Sequence, residues 1–230
     1  IAAGQFSIAE GNPADRIARW NGTVWDTLGT GMNNQIQSLA VYNGELIAGG
    51  GFIEAGGVPA QKLARWDGLA WDSFHLAAPS STVSSLIVHN GDLYIGGAFT
   101  SLNGNPAPGI ARWDGDDWQT LAAGLGATVS TMAIYGDELI AGGSFFSFDN
   151  GVGLSFLARW DGSAWNRLGS GMDQWVNALA VHDGQLTAAG TFSRAGEVIA
   201  HRIARWDGLQ WQPFGAGIPF GTVSTLVPFN

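Results

Sequence analysis

The 230-residue chain contains no cysteine, which excludes disulfides, zinc-thiolate centres and thiol nucleophiles. Charge is scarce. Only 13% of residues are charged, and ten Lys and Arg against nineteen Asp and Glu give a formal net charge of -9. Nucleic acid and anionic membrane both require clustered basic side chains, so neither is an expected partner. No run approaches the ~18 apolar residues of a membrane-spanning helix. The chain opens on Ile1 with neither an initiator Met nor a signal-peptide pattern, which reads as a mature or excised piece. The histidines His75, His89, His182 and His201 lack close metal-ligand spacing, so no metal and no cofactor is expected.

What the chain does have is glycine, 35 residues of it, within a composition that is 46% hydrophobic. That balance suits many short strands joined by tight turns. One stretch recurs: Arg65-Trp66-Asp67-Gly68-Leu69-Ala70-Trp71, with close copies starting at Arg19, Arg112, Arg159 and Arg205. The arginines are spaced 46, 47, 47 and 46 residues apart, and a fixed period of this size marks stacked supersecondary units.

Each period reads as four strands. An apolar run such as Ile36 to Tyr42 leads through Asn43-Gly44 into Leu46-Ile47-Ala48-Gly49-Gly50. A loop then leads to Leu63-Ala64-Arg65-Trp66, and the Asp67-Gly68 turn to Trp71. Asn-Gly or Asp-Gly between apolar runs is a strong hairpin signal, because Gly accepts positive φ. Four antiparallel strands per roughly 40–50 residues make a propeller blade. The expected fold is therefore all-β, a five-bladed β-propeller of four-stranded antiparallel blades forming a single domain over residues 1–230. The blades fall near 36–75, 83–122, 129–169, 176–215, and 222–230 with 1–29. Thr222 to Asn230 matches a first strand and Ile1 begins on a second, so one C-terminal and three N-terminal strands would close the ring.

The apolar strand, the Gly49-Gly50 strand end, Trp66 on the third strand and Trp71 opening the fourth resemble kelch-type repeats, similar to the galactose-oxidase-central-domain-like repeats of secreted bacterial proteins. The chain departs from that pattern in its blade count and in Arg-Trp, where kelch more often has a single Tyr. The resemblance implies that the Leu39-Ala40-Val41 strand is innermost. Both tight turns then share one face, and the longer loops crowd the other.

Identity in every copy favours packing, so the Trp pairs are expected to fill the wedge between blades, and the arginines to serve as hydrogen-bonding or cation-π partners. Ligand sites belong where the copies differ, on the long-loop face. The ligand-binding candidates are Trp175, the one Trp outside the pairs, its neighbours Asp173 and Gln174, and His75, Asn34 and Phe220 in equivalent loops.

Enzyme chemistry is not expected. Glycoside hydrolysis needs two facing carboxylates, yet the first strands carry no Asp or Glu, and Asp173 is a single nearby acid. Galactose-oxidase chemistry needs a cysteine. The expected function is non-enzymatic binding of a protein or glycan by a monomeric, secreted or cell-surface module. The alternatives are a purely structural repeat of a longer surface protein, or a multivalent lectin. The glycine-rich loops leave a motif-free calcium site open.

Overall fold

A computed structural model describes residues 1–149 and 151–228, and only the backbone of 148, 149 and 152. An array whose repeats pack on their neighbours has no single centre. The chain divides into one unit of Ile1–Ala107 with Arg112–Trp118 and another of Pro108–Ala111 with Gln119–Asn230.

In the first unit, Ile36–Tyr42, Glu45–Gly50, Leu63–Trp66 and Trp71–Ser73 form a four-stranded antiparallel sheet in chain order. The same order recurs in Val129–Tyr135, Glu138–Asp149, Val152–Trp160 and Trp165–Asn166, and in Val176–His182, Gln185–Gly190, Ile203–Trp206 and Trp211–Pro213 of the second unit. A further sheet of this kind holds Val83–His89, Asp92–Gly97, Ile110–Trp113 and Trp118–Gln119. Ala2–Ala3, Ile17–Trp20 and Trp25–Thr27 make a sheet of three strands. The expected fourth strand for it, residues 222–230, has no strand conformation over its described part, 222–228. Phe229 and Asn230 lie outside the described residues. Pro228 has no N–H to give to a ladder.

The two tight turns differ in mechanism. Asn43 and Gly44 both have positive φ, 49° and 82°, the twist that joins adjacent antiparallel strands directly. In the Trp hairpin the Asp67 carboxylate itself accepts the N–H groups of Leu69 and Ala70 at 2.8 and 2.9 Å, and Asn21, Asp114, Asp161 and Asp207 do the same in their copies. Those backbone donors hold the Asp67, Asp114, Asp161 and Asp207 carboxyls below the usual range.

Cross-strand register puts Trp66 opposite Trp71, with ring centroids 5.4 Å apart. Trp20–Trp25, Trp113–Trp118, Trp160–Trp165 and Trp206–Trp211 repeat the pair at 5.2–5.7 Å. Where another repeat precedes it, the second ring of a pair packs against that repeat. Trp71 is buried with Ile17, Leu28 and Met32, and Trp211 with Leu157, Leu168 and Met172. Trp71 Nε1 donates to the Leu28 carbonyl at 2.8 Å and Trp211 Nε1 to that of Leu168 at 3.1 Å. Burial of such a ring is worth about 3 kcal/mol, so the tryptophans act as the wedge fillers expected. Three of the repeat arginines form ion pairs with acids at the start of the second strand, Arg65 with Glu45 at 3.4 Å, Arg112 with Asp92 and Arg159 with Glu138 at 3.3 Å, while Arg19 pairs with Asp26 of the fourth strand at 3.2 Å.

The second glycine of Gly49-Gly50 answers a steric need. A Cβ on Gly50 would lie 2.2 Å from the Gln35 carbonyl oxygen, and one on Gly190 2.0 Å from that of Trp175. These oxygens accept the N–H of Gly51 and Thr191. The loop entering each first strand is thereby bonded to the end of the second strand, and its side chains are presented from a fixed backbone.

Candidate functional site

The loops entering the first strands are tied down before they carry anything outward. Asn33 Oδ1 accepts the N–H groups of Ile53 and Glu54 at 3.0 and 3.2 Å. Ser80 Oγ accepts those of Thr100 and Ser101. Asp173 takes this place in its own repeat: Oδ1 accepts the N–H of Ser193 and of Arg194 at 2.9 Å, and Oδ2 the Ser193 hydroxyl at 2.6 Å. Partial burial raises the Asp173 carboxyl, and the Ser193 and Arg194 donors outweigh that and hold it below its ordinary value. This acid is a loop clamp whose acceptors are already in use.

One residue further on, the loop side chains turn outward. Asn34 lines a cleft of about 390 Å³ with Gln5, Phe6, Ser7, Arg16 and Gln35, all within the first unit. Arg16 has φ of 67°, and its backbone is fixed on both sides by Gly4 N–H to Arg16 C=O at 3.0 Å and Arg16 N–H to Phe6 C=O at 2.7 Å. Arg16 Nη1 donates to the Met32 carbonyl at 2.6 Å, which orients the guanidinium toward the cleft wall. Asn34 is set locally, with Oδ1 accepting the Gln35 N–H at 2.8 Å and Nδ2 reaching the Gly51 carbonyl at 3.4 Å. Three carboxamides, one hydroxyl, one guanidinium and one phenyl ring converge here. Such a set can donate and accept hydrogen bonds while stacking an apolar face. It contains no carboxylate, and therefore no acid/base pair for hydrolysis.

The other candidates occupy different settings. Gln174 and Trp175 follow Asp173 in the second unit and are exposed, Trp175 to 51%. Phe220 is 85% exposed in a loop held rigidly beneath it: Arg202 donates through Nε to Gly221 C=O and through Nη1 to the Ile218 and Pro219 carbonyls. His75 does not share the position of Asn34. It sits at the left-handed place held by Gly29 and Gly169 elsewhere, with φ of 47°, and stacks on Trp113 with centroids 4.3 Å apart and planes 21° from parallel. Burial and then the Arg65 charge push its pKa down, so the imidazole is neutral near pH 7. Its contact is a Trp pair, because a left-handed residue after Phe74 turns its side chain sideways, away from the loop entering Val83.

Sequence reasoning missed Arg16, Gln5, Phe6 and Ser7. A signal was present, since Arg16 and Arg202 both precede a third strand and both hold loop carbonyls. Among the described residues no group of three or more His, Asp or Glu side chains is arranged to hold a metal, and no helix is long and apolar enough to cross a membrane.

Residues 90–116 match a family model described as a domain of unknown function (DUF5122) beta-propeller. No curated protein matches the sequence. Among solved structures, the crystal structure of the computationally designed Ika8 protein is similar over 93% of this chain at TM-score 0.57 and 15% identity. This chain spans 59% of that one. The family model and the antiparallel four-stranded sheets together make this an all-β chain of β-propeller type.

Proposed function

We propose that this chain is a non-enzymatic binding module that takes a hydroxyl-rich glycan or a polar segment of a protein in the cleft beside Asn34. The observation that carries this reading is the convergence of Gln5, Ser7, Arg16, Asn34 and Gln35 around the Phe6 ring. Carboxamides match sugar hydroxyls and peptide groups alike, because each offers donors and an acceptor. A volume near 390 Å³ suits one or two residues of such a ligand. A secreted or surface setting accords with the net charge of -9 and with the kelch-like repeat. In the finer architecture proposed here the repeats count as five blades, the fifth completed when the chain's own 222–230 segment adds to Ala2–Ala3.

A purely structural role within a longer surface protein is the second reading, and the use of the second tryptophans for packing between repeats favours it. A lectin with one site per repeat would need its tryptophans open, whereas Trp71, Trp165 and Trp211 are buried. The test is a glycan array followed by calorimetry on wild type, Asn34→Ala and Trp175→Ala. Binding lost in Asn34→Ala and kept in Trp175→Ala supports the cleft. Loss in Trp175→Ala alone moves the site to the second unit, and no binding by the wild type leaves the structural reading.

A further inference from the structure

The residue before each third strand stands in the left-handed region. Arg16, Lys62 and Arg202 have φ of 67°, 64° and 73° there, and Gly109 holds the same place with φ of 81°. Glycine enters this conformation freely, whereas a residue with a Cβ loses about 1 kcal/mol in doing so. Arg202 offsets that loss with hydrogen bonds. Its Nε donates to the Gly221 carbonyl at 2.7 Å, and its Nη1 to those of Ile218 and Pro219 at 3.2 and 2.9 Å. The loop over 218–221 thus occupies the Nε side of the guanidinium as well as its Nη1 end.

Arg16 keeps one contact of this set, from Nη1 to the Met32 carbonyl at 2.6 Å. Its Nε and Nη2 have no partner among the described residues, and no acid there, its neighbour Asp15 included, forms an ion pair with it. The bond through Nη1 fixes the guanidinium plane and leaves the Nε–Nη2 edge open. Two parallel N–H bonds on that edge match the two oxygens of a carboxylate. Arg16 is also the one charged side chain lining the cleft beside Asn34. Around it, the Gln5 and Gln35 carboxamides and the Ser7 hydroxyl make no hydrogen bond among the described residues. Each of these arginines lies in the same unit as the loop it contacts.

We propose that the cleft selects an acidic sugar: a hexuronic acid residue whose carboxylate accepts both N–H bonds of the Arg16 Nε–Nη2 edge. This rests on the reading of the cleft as a glycan site and names its ligand class. The sugar hydroxyls bond Gln5, Ser7 and Gln35, and its C–H face lies on the Phe6 ring. One guanidinium balances one negative charge, which suits a carboxylate better than a phosphate dianion. The net charge of -9 opposes a polyanion, so the uronate is a single acidic unit in an otherwise neutral glycan. A hexuronic acid carries carboxylate, hydroxyls and apolar face on one rigid ring, and the cleft has a counterpart for each. An acidic peptide residue holds its carboxylate on a flexible stem and leaves the phenyl ring unmatched.

Calorimetry on the whole chain with three matched disaccharides tests this: glucuronosyl-galactose, its methyl ester and neutral glucosyl-galactose. The acid should bind about tenfold or more tightly than either uncharged form, because it alone gains charge-assisted hydrogen bonds. Arg16→Gln should abolish that preference and still bind glucosyl-galactose like wild type. Arg16→Lys guards against a folding defect, since Lys62 already occupies the same left-handed place in the next repeat. It keeps the charge without the fork, so its preference should fall below that of wild type. Equal binding of all three disaccharides overturns the inference and leaves the glycan reading of the cleft standing, whereas binding of none overturns both. A preference that survives intact in either variant removes Arg16 from the site. Tighter binding of a tripeptide with one Glu than of glucuronosyl-galactose would replace the sugar with an acidic peptide and overturn the proposal.

Discussion

Trp25 and Trp71 make an instructive pair. Both open the fourth strand of an Arg-Trp hairpin, both face a partner tryptophan in the same register, and their ring pairs differ by only 0.3 Å in spacing, 5.7 against 5.4 Å. Yet Trp71 is 4% exposed and donates to Leu28, while Trp25 lies along open clefts. The hairpin is thus a local product of its own sequence. Burial is a property of what the preceding repeat lays over it, which is the nearest-neighbour energetics of repeat arrays.

The sharpest way to break this comparison is to remove the rings. Trp211→Ala should cost about 3–5 kcal/mol, since it empties a large aromatic site and leaves the Leu168 carbonyl without its donor. Trp25→Ala, measured in dilute solution, should cost less than about 1.5 kcal/mol. Equal losses in denaturant melts would mean that Trp25 is covered in solution. Next in size is Gly50→Ala, where a Cβ 2.2 Å from the Gln35 oxygen forces the loop off the strand at about 1–3 kcal/mol. A neutral melting temperature there would show that the loop tie is slack.

Asp173→Ala should cost about 1–2 kcal/mol by freeing the Ser193 and Arg194 donors. The pH dependence has a definite sign. The folded carboxyl lies below its ordinary value, so its contribution is present above about pH 4 and disappears as pH falls through the folded pKa. The difference between wild type and Asp173→Ala should therefore shrink in acid, and a constant difference from pH 7 to pH 2 would contradict the clamp. Smallest is Trp175→Ala, expected within about 0.5 kcal/mol of wild type because the ring is half exposed. A large loss would make Trp175 part of the core.

Much of this was legible in the chain itself. The 46–47-residue period, the strands, both kinds of turn and the Trp–Trp register follow from local rules: Gly for positive φ, Asp or Asn for the turn, alternation for the faces. The repeat arginines were legible as structural because they recur in every copy, whereas their acid partners on the neighbouring strands emerged only in the structure. The site was legible only in part. Asn34 stood out because its copies differ, but the same criterion also selected Asp173, which the structure uses as a clamp, and His75, which it stacks on Trp113.

Sequence by itself determined the repeat, its strand order and its hairpins, because those depend on contacts between residues close along the chain. Only the tertiary structure decided which tryptophans are covered, that Arg16 and Gln5 meet Asn34 in one cleft, and that Thr222–Pro228 lies outside any strand. The physical reason is that burial and convergence arise between segments whose separation is set by packing. A repeat pattern states what each unit can bury, and the neighbour present in space decides whether it does.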